Sequence, residues 1–341
     1  MRILITGGAG FIGCNLADAC IRARHQVTLF DNLSRRGSQA NLAWLRESFG
    51  EAGFVFVQGD IRDYAAILAA AAGQEAVYHL AAQTAVTTSV IDPRTDFEIN
   101  ALGTFNVLEA ARHIGDDPVF IFSSTNKVYG GMEDAPASEL ATRYVLPAYP
   151  AGVPETRPLD FHSPYGCGKG AADQYVHDYA RIYGLRSVVF RQSCIYGQRQ
   201  MGVEDQGWVA WFIIAAVTGK PITIYGNGKQ VRDLLHVDDL VRAFQAATTH
   251  IDITRGQVYN LGGGPANTLA IWAEFGPLLS ELLGRPVIPT GHQDWRPGDQ
   301  PVFVANVDKA AAEFGWRPQV SVRDGVARLV DWVQANRELF E

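Results

Sequence analysis

The sequence predicts an α/β protein built on a doubly wound parallel sheet, with a smaller lobe formed by its C-terminal part. Three observations carry this. Short apolar, β-branched runs alternate with amphipathic stretches through the first half. A glycine-rich segment stands directly after the first run, and beyond about residue 195 the alternation weakens into short strands, Gly/Pro turns and two terminal helical stretches.

In chain order, strands are expected at residues 3–6, 27–30, 55–58, 76–80, 119–123 and 187–190, each a run of apolar residues of strand length. Helices are expected between them at 12–24, 39–49, 64–71, 96–113 and 164–183, where apolar residues recur at helical spacing. The segment 132–162 is rich in Pro and Ala and carries Glu and Asp, which suits a surface loop, and its place just before Tyr165 suggests one that faces a ligand. The expected division is residues 1–195 and 196–341, with some chain crossing back to the first lobe.

Composition narrows the class. Of the 341 residues 47% are hydrophobic and 19% charged, an ordinary globular balance with no room for a long disordered tract. The net charge of −7 repels nucleic acid and anionic membrane surfaces, so no nucleic-acid or membrane partner is expected. Cys14, Cys20, Cys167 and Cys194 form no CxxC pair and no zinc-spaced cluster, which suggests neither disulfide nor metal and points to reduced thiols in the cytoplasm.

Gly7-Gly8-Ala9-Gly10-Phe11-Ile12-Gly13 follows the first strand. Glycines at this spacing allow a tight turn, close approach of a pyrophosphate and close packing of the next helix, whose N-terminal N–H groups meet the phosphates. The second strand ends in Phe30-Asp31, where a carboxylate can accept from the adenosine ribose hydroxyls and repels a 2′-phosphate. This Rossmann-type arrangement favours NAD over NADP, although Arg35 and Arg36 keep the second open. Asp60 and Ile61, after the third strand, are candidates to meet adenine, and Leu80-Ala81-Ala82-Gln83 ends the fourth strand with small residues that let a ligand pass close to the backbone.

Ser163-Pro164 reads as a helix start, with Ser as cap and Pro in the first turn, so Tyr165 and Lys169 share one helical face. A phenol near its ordinary pKa of about 10 is a poor base at neutral pH, and an adjacent ammonium would lower it. Lys169 is placed for this, while the fifth strand runs into Ser123-Ser124-Thr125, offering Thr125, or Ser124 second, as the hydroxyl that orients a substrate alcohol. His79, His162 and His236 read as packed or surface residues.

With these residues the chain resembles the extended short-chain dehydrogenase/reductase family over nearly its whole length. Within it the likeness is greatest to nucleotide-sugar epimerases acting at C2 of a CDP-linked dideoxy sugar, carried by Asp31-Asn32-Leu33-Ser34-Arg35-Arg36-Gly37, residues 125–130, residues 191–197 and residues 203–212. The resemblance implies an NAD-dependent isomerase that oxidises its sugar transiently to a 2-keto intermediate and reduces it on the opposite face, with Thr125, Tyr165 and Lys169 catalytic. It implies NAD contacts from Gly7, Gly10, Phe11, Ile12, Gly13, Asp31, Asn32, Ser34, Arg35, Asp60 and Ile61. Further contacts would come from residues 80–83, Asn100, Ser123, Tyr165, Lys169 and Ser193. Substrate contacts would come from Thr125, Asn126, Gln206, Arg232 and, in Trp295-Arg296-Pro297-Gly298, from Arg296, the C-terminal lobe being the sugar-nucleotide-binding one. Related 4,6-dehydratases carry Asp-Glu after the catalytic Thr, where this chain has Asn126-Lys127, which argues against water elimination. Gln198 and Cys14 stand where many relatives have Pro and Ser. A UDP- or GDP-hexose 4-epimerase is the alternative, and a non-catalytic NAD-binding regulator the alternative from another class. The family also suggests a homo-oligomer, a dimer or tetramer, through the long helices.

Overall fold

The computed structural model describes residues 1–115, 117–296 and 299–341. Seven parallel strands form its central sheet. The first five are β1 (Arg2–Thr6), β2 (Gln26–Asp31), β3 (Val55–Gln58), β4 (Ala76–His79) and β5 (Val119–Thr125). Arg186–Gln192 and Gln257–Leu261 complete the sheet beside β5, giving the spatial order 257–261, 186–192, β5, β4, β1, β2, β3. The predicted strands are all present, with ends moved by at most two residues. The seventh strand, contributed by residues 257–261 from beyond the expected boundary, is an addition to the sequence reading.

Successive residues of β1 enter different cores, as the strand period of two requires. Ile3 and Ile5 pack on one face with Leu16, Phe190 and Phe244, while Leu4 packs on the other with Phe30, Val77 and Phe120. Both faces are covered, so the strands read as continuous apolar runs, and each fully buried Leu or Ile contributes about 1.5–3 kcal/mol. A third cluster, with Tyr196, Phe212, Leu234, Phe275 and Leu329, lies in the C-terminal part.

The helices up to the catalytic-looking segment are α1 (Phe11–Arg22), α2 (Ser38–Phe49), α3 (Tyr64–Ala71), α4 (Val86–Ile91), α5 (Pro93–Phe97), α6 (Thr104–His113) and α7 (Ser163–Tyr183). The single helix expected at 96–113 is instead three pieces: α5 leads into a π-helical turn, Glu98–Gly103, and then α6. The wider turn carries Asn100 inward, and such turns recur at functional sites. Gly103 allows it, because a Cβ there would lie 2.6 Å from Ile61. Helix α7 starts at Ser163 with His162 in the cap position, one residue earlier than the sequence suggests. Ser163 nevertheless accepts the Gly166 N–H (3.2 Å), and Ser89 of α4 accepts that of Tyr165 (3.1 Å), so two hydroxyls satisfy the first turn. No helix among the described residues is long and apolar enough to cross a membrane.

Candidate active site

The carboxyl ends of β1, β2 and β4 frame a cleft of about 300 Å³, at the point where strand order reverses and where ligands of open α/β sheets bind. Its floor is glycine by necessity. Gly7 has φ +70° and lies against the Ala81 backbone, where an added Cβ would come within 2.8 Å, and a Cβ on Gly13 would sit 2.1 Å from the Gly7 carbonyl. Helix α1 starts without a capping side chain or an acidic residue in its first turn, leaving its N-terminus suited to a phosphate. Asp31 at the end of β2 accepts N–H donors from Ala9 (3.0 Å) and Leu33 (2.8 Å). Burial raises its carboxyl above the ordinary value, and those N–H groups oppose the rise. Asn32, Ser34, Arg35, Asp60, Ile61 and residues 80–83 line the same cleft. Asp60 is already held by Arg62 and Asn32, and the Arg62 hydrogen bonds bring its pKa down to about 2. These features fit a dinucleotide.

A second cavity of about 400 Å³ adjoins the first, sharing Phe11, Ile12, Leu80, Ala82 and Gln206 with it. Ser123, Thr125, Asn126, Tyr165, Lys169, Ser193, Arg232 and Arg296 all line it, so the ends of β5 and of strand 186–192, the face of α7 and the C-terminal part meet there. Ser193 lies here rather than in the first cleft, donating to Asp233 and bonded through its own N–H to Leu261. Two anticipated contacts stand behind the walls. Gly10 closes the turn onto Gly7 (3.0 Å), and buried Asn100 clamps both backbone groups of Gln83, at 3.1 and 3.0 Å. Gln206 borders both cavities and is taken by Arg35 (2.6 Å).

The two candidate hydroxyls are held differently: Ser124 donates to buried Asp173 (2.7 Å), whereas Thr125 Oγ1 lies beside Asn126 and accepts the Lys127 N–H (3.2 Å). The expected electrostatics need correction. Burial pushes the Tyr165 phenol up to about 12, and the group that chiefly opposes this is the neighbouring Thr125 hydroxyl rather than Lys169. Lys169 donates to the Ser123 carbonyl (2.6 Å), lies over the Phe122 ring at 4.2 Å, and is lowered to about 7 by the loss of water around it. His79 is buried between Thr6 and Thr104, and His236 is also buried, while His162 is exposed beside Asp160 (2.9 Å).

The cavity also holds charged groups whose roles the sequence does not show. Lys127 is brought down to about 8, chiefly by burial and then by Arg232, and Glu204, Asp205, Tyr225 and Asp299 join it in the wall. Arg232 pairs with Asp299 (2.5 Å), and Arg296 donates to the Glu204 carbonyl (2.9 Å), faces Asp205 (3.3 Å) and covers the Tyr225 ring at 3.8 Å. Pro297 and Gly298 of the Arg296 motif lie outside the described residues. Residues 130–133 and 135–137 instead border a neighbouring cavity, which shares Lys127 and Asp299 with this one. Lys127, Glu204 and Asp205 stand in motifs quoted above and Tyr225 is followed by Gly226 in a strand-and-turn pattern, whereas Asp299 is defined by its distant partner Arg232.

Fold and site together define a dinucleotide-dependent α/β enzyme of the extended short-chain type. The chain belongs to the NAD dependent epimerase/dehydratase family, whose model matches residues 3–262. It is 46% identical to CDP-paratose 2-epimerase of Salmonella typhi, over 98% of this chain and all of the relative. It is 34% identical to UDP-glucose 4-epimerase of Mycolicibacterium smegmatis, over 97% and 98%. Among solved structures, UDP-glucose 4-epimerase of Thermotoga maritima with UDP-glucose matches all of both chains at a TM-score of 0.84 and 32% identity. A dTDP-glucose 4,6-dehydratase of Streptomyces venezuelae, with NAD bound, matches at 0.85 and 29%, over 100% and 99%.

Proposed function

We propose that this protein epimerises C2 of a CDP-linked dideoxy sugar, converting CDP-paratose to CDP-tyvelose through a 2-keto intermediate. One observation carries the reading: Thr125, Tyr165 and Lys169 share a cavity with Asn126-Lys127, and that cavity opens onto the dinucleotide cleft. The identity to a CDP-paratose 2-epimerase supports the choice of carbon and of base.

Bound NAD would supply the hydride acceptor and donor for transient oxidation at C2, held by the glycine turn, Asp31 and Lys169. Burial disfavours the Tyr165 phenolate and the positive nicotinamide of bound NAD would favour it; as phenolate it takes the proton of the C2 hydroxyl and returns it after the ketone has turned over. Thr125 orients that hydroxyl, and its own hydroxyl already favours the phenolate. Arg232 and Arg296 bind the diphosphate, whose oxygens take over from the Asp299 and Asp205 carboxylates that the two cations meet now. Asn126-Lys127 supplies no acid/base pair for water elimination.

The division into a dinucleotide lobe, 1–195, and a sugar-nucleotide lobe, 196–341, belongs to the same reading, the 257–261 strand returning to the first. So does a homo-oligomer through α6 and α7, supported by exposed Phe105 (38%) and Tyr175 (52%). A cytoplasmic setting suits four cysteines that remain free.

The test is incubation of the purified protein with CDP-paratose and no added NAD. CDP-tyvelose should form, and Tyr165→Phe should lower turnover by about 10²–10⁴-fold. Conversion only of UDP- or GDP-hexoses, at C4, would move the assignment to the alternative epimerase. Unchanged turnover by Tyr165→Phe would remove the catalytic assignment altogether.

A further inference from the structure

Asp96 is an acidic residue buried where an acid is costly. It sits on α5 with 1% of its surface exposed. One carboxylate oxygen accepts from Asn100 (2.9 Å), and the other is buried with no hydrogen-bond partner. That second oxygen presses on α7 at Gly168, where an added Cβ would meet it at 2.8 Å. Gly168 immediately precedes Lys169 and lies between it and Tyr165. Packing alone does not account for this arrangement, because an amide would keep the Asn100 bond without the cost of burying a charge.

The surroundings supply the reason. Burial lowers Lys169, and two anions act in the other direction, Asp173 first and then Asp96. Asp173 is committed elsewhere: Arg191 holds both of its oxygens at 2.9 Å and Ser124 donates to one of them. Asp96 has no ion-pair partner among the described residues. From α7, which packs on α5, the titratable groups coupled to Asp96 are Lys169 and Tyr165. Glu98 of the π turn pairs outward with Arg62 and Arg94, and α4 offers no charged side chain. We propose that Asp96 is a positioning residue whose buried carboxylate keeps Lys169 an ammonium beside Tyr165, and that Asn100 ties this carboxylate to the Gln83 backbone at the cofactor cleft.

The proposal rests on Tyr165 and Lys169 being the reacting pair, and it deepens that assignment. Asp96→Asn keeps size and the Asn100 bond but removes the charge. The anion raises both Lys169 and Tyr165, so its loss should move both limbs of the pH profile of kcat/KM for CDP-paratose to lower pH, by about one unit. A purely structural role would lower activity and leave the limbs in place, and that result would overturn the proposal.

A second measurement needs neither activity nor a folded Asp96 variant. The carboxyl of Asp96, raised to about 6 by burial and lowered in turn by Asn100 and Lys169, can be titrated by NMR in protein labelled with ¹³C-aspartate. Coupling is reciprocal, so Lys169→Met should raise that midpoint, by about one unit. An unmoved midpoint sinks the Asp96 proposal even if Tyr165→Phe is inactive. If instead Tyr165→Phe retains turnover while the midpoint moves, the catalytic assignment fails and the electrostatic coupling stands.

Discussion

Asp173 grips Arg191 through both carboxylate oxygens, at 2.9 Å each, beneath the strand ends that carry Ser124 and Gln192. Both side chains are buried, and Arg191 also meets the Tyr129 hydroxyl (3.2 Å), which donates to Asn260 on the seventh strand. The pair therefore ties α7 to three neighbouring strands of the sheet. Removing one partner strands the other charge, so Asp173→Asn should cost about 3–5 kcal/mol in a denaturant melt. Asp173→Leu with Arg191→Met should cost less than either single change. Additive losses in that cycle would contradict the account.

The glycine turn yields a sharper expectation. A Cβ on Gly13 would lie 2.1 Å from the Gly7 carbonyl, a backbone atom that cannot swing aside. Gly13→Ala should cost about 1–3 kcal/mol in stability. It should also strip NAD from the purified protein, read as the nucleotide released on denaturation. A control change at Gly291, which has an ordinary φ and open surroundings, carries no such clash and should keep the nucleotide.

Lys127 makes substrate binding proton-linked. Its pKa is about 8 because burial and Arg232 disfavour the ammonium, whereas in the unfolded chain it is near 10.5. A folded value below the unfolded one costs stability at pH below 8, and that cost is relieved as pH rises from 8 to 10.5. An anionic diphosphate nearby restores the ammonium. Binding of CDP at pH 8.5 should therefore take up a fraction of a proton, seen calorimetrically as a dependence on the buffer's ionisation heat. Lys127→Met should abolish the uptake, and proton release on binding would refute the linkage.

The helix face carrying Phe105 and Tyr175, whose rings meet edge to face at 5.9 Å, gives the oligomer its test. Tyr175→Glu should shift the sedimentation of the wild-type protein at micromolar concentration toward the monomer. A wild-type protein that sediments only as monomer would end the proposed seam.

What the sequence displays well is whatever the backbone demands locally. Gly7 and Gly13 are legible because no other residue fits the turn, and Tyr165 with Lys169 because spacing of four residues fixes a shared helix face. What it hides is created by folding. Asp96 reads as an ordinary polar position of a helix until the π turn and Gly168 enclose it. Arg232 and Asp299 meet across 67 residues of sequence, and the strand 257–261 is distinguishable from a short C-terminal strand only by its partner, 186–192. The pKa of Tyr165 is hidden for the same reason: burial, which sequence spacing does not reveal, raises it, and Thr125 rather than the lysine four residues away chiefly opposes the rise.

The most direct test of the central claim is NMR of CDP-paratose incubated in D2O with the purified protein and no added NAD, following C2 configuration and deuterium content. The account predicts CDP-tyvelose with hydrogen, not deuterium, at C2, because the hydride removed is the one returned. Deuterium at C2 of the product would mean that C2 exchanges its hydrogen as a proton, and would contradict the mechanism.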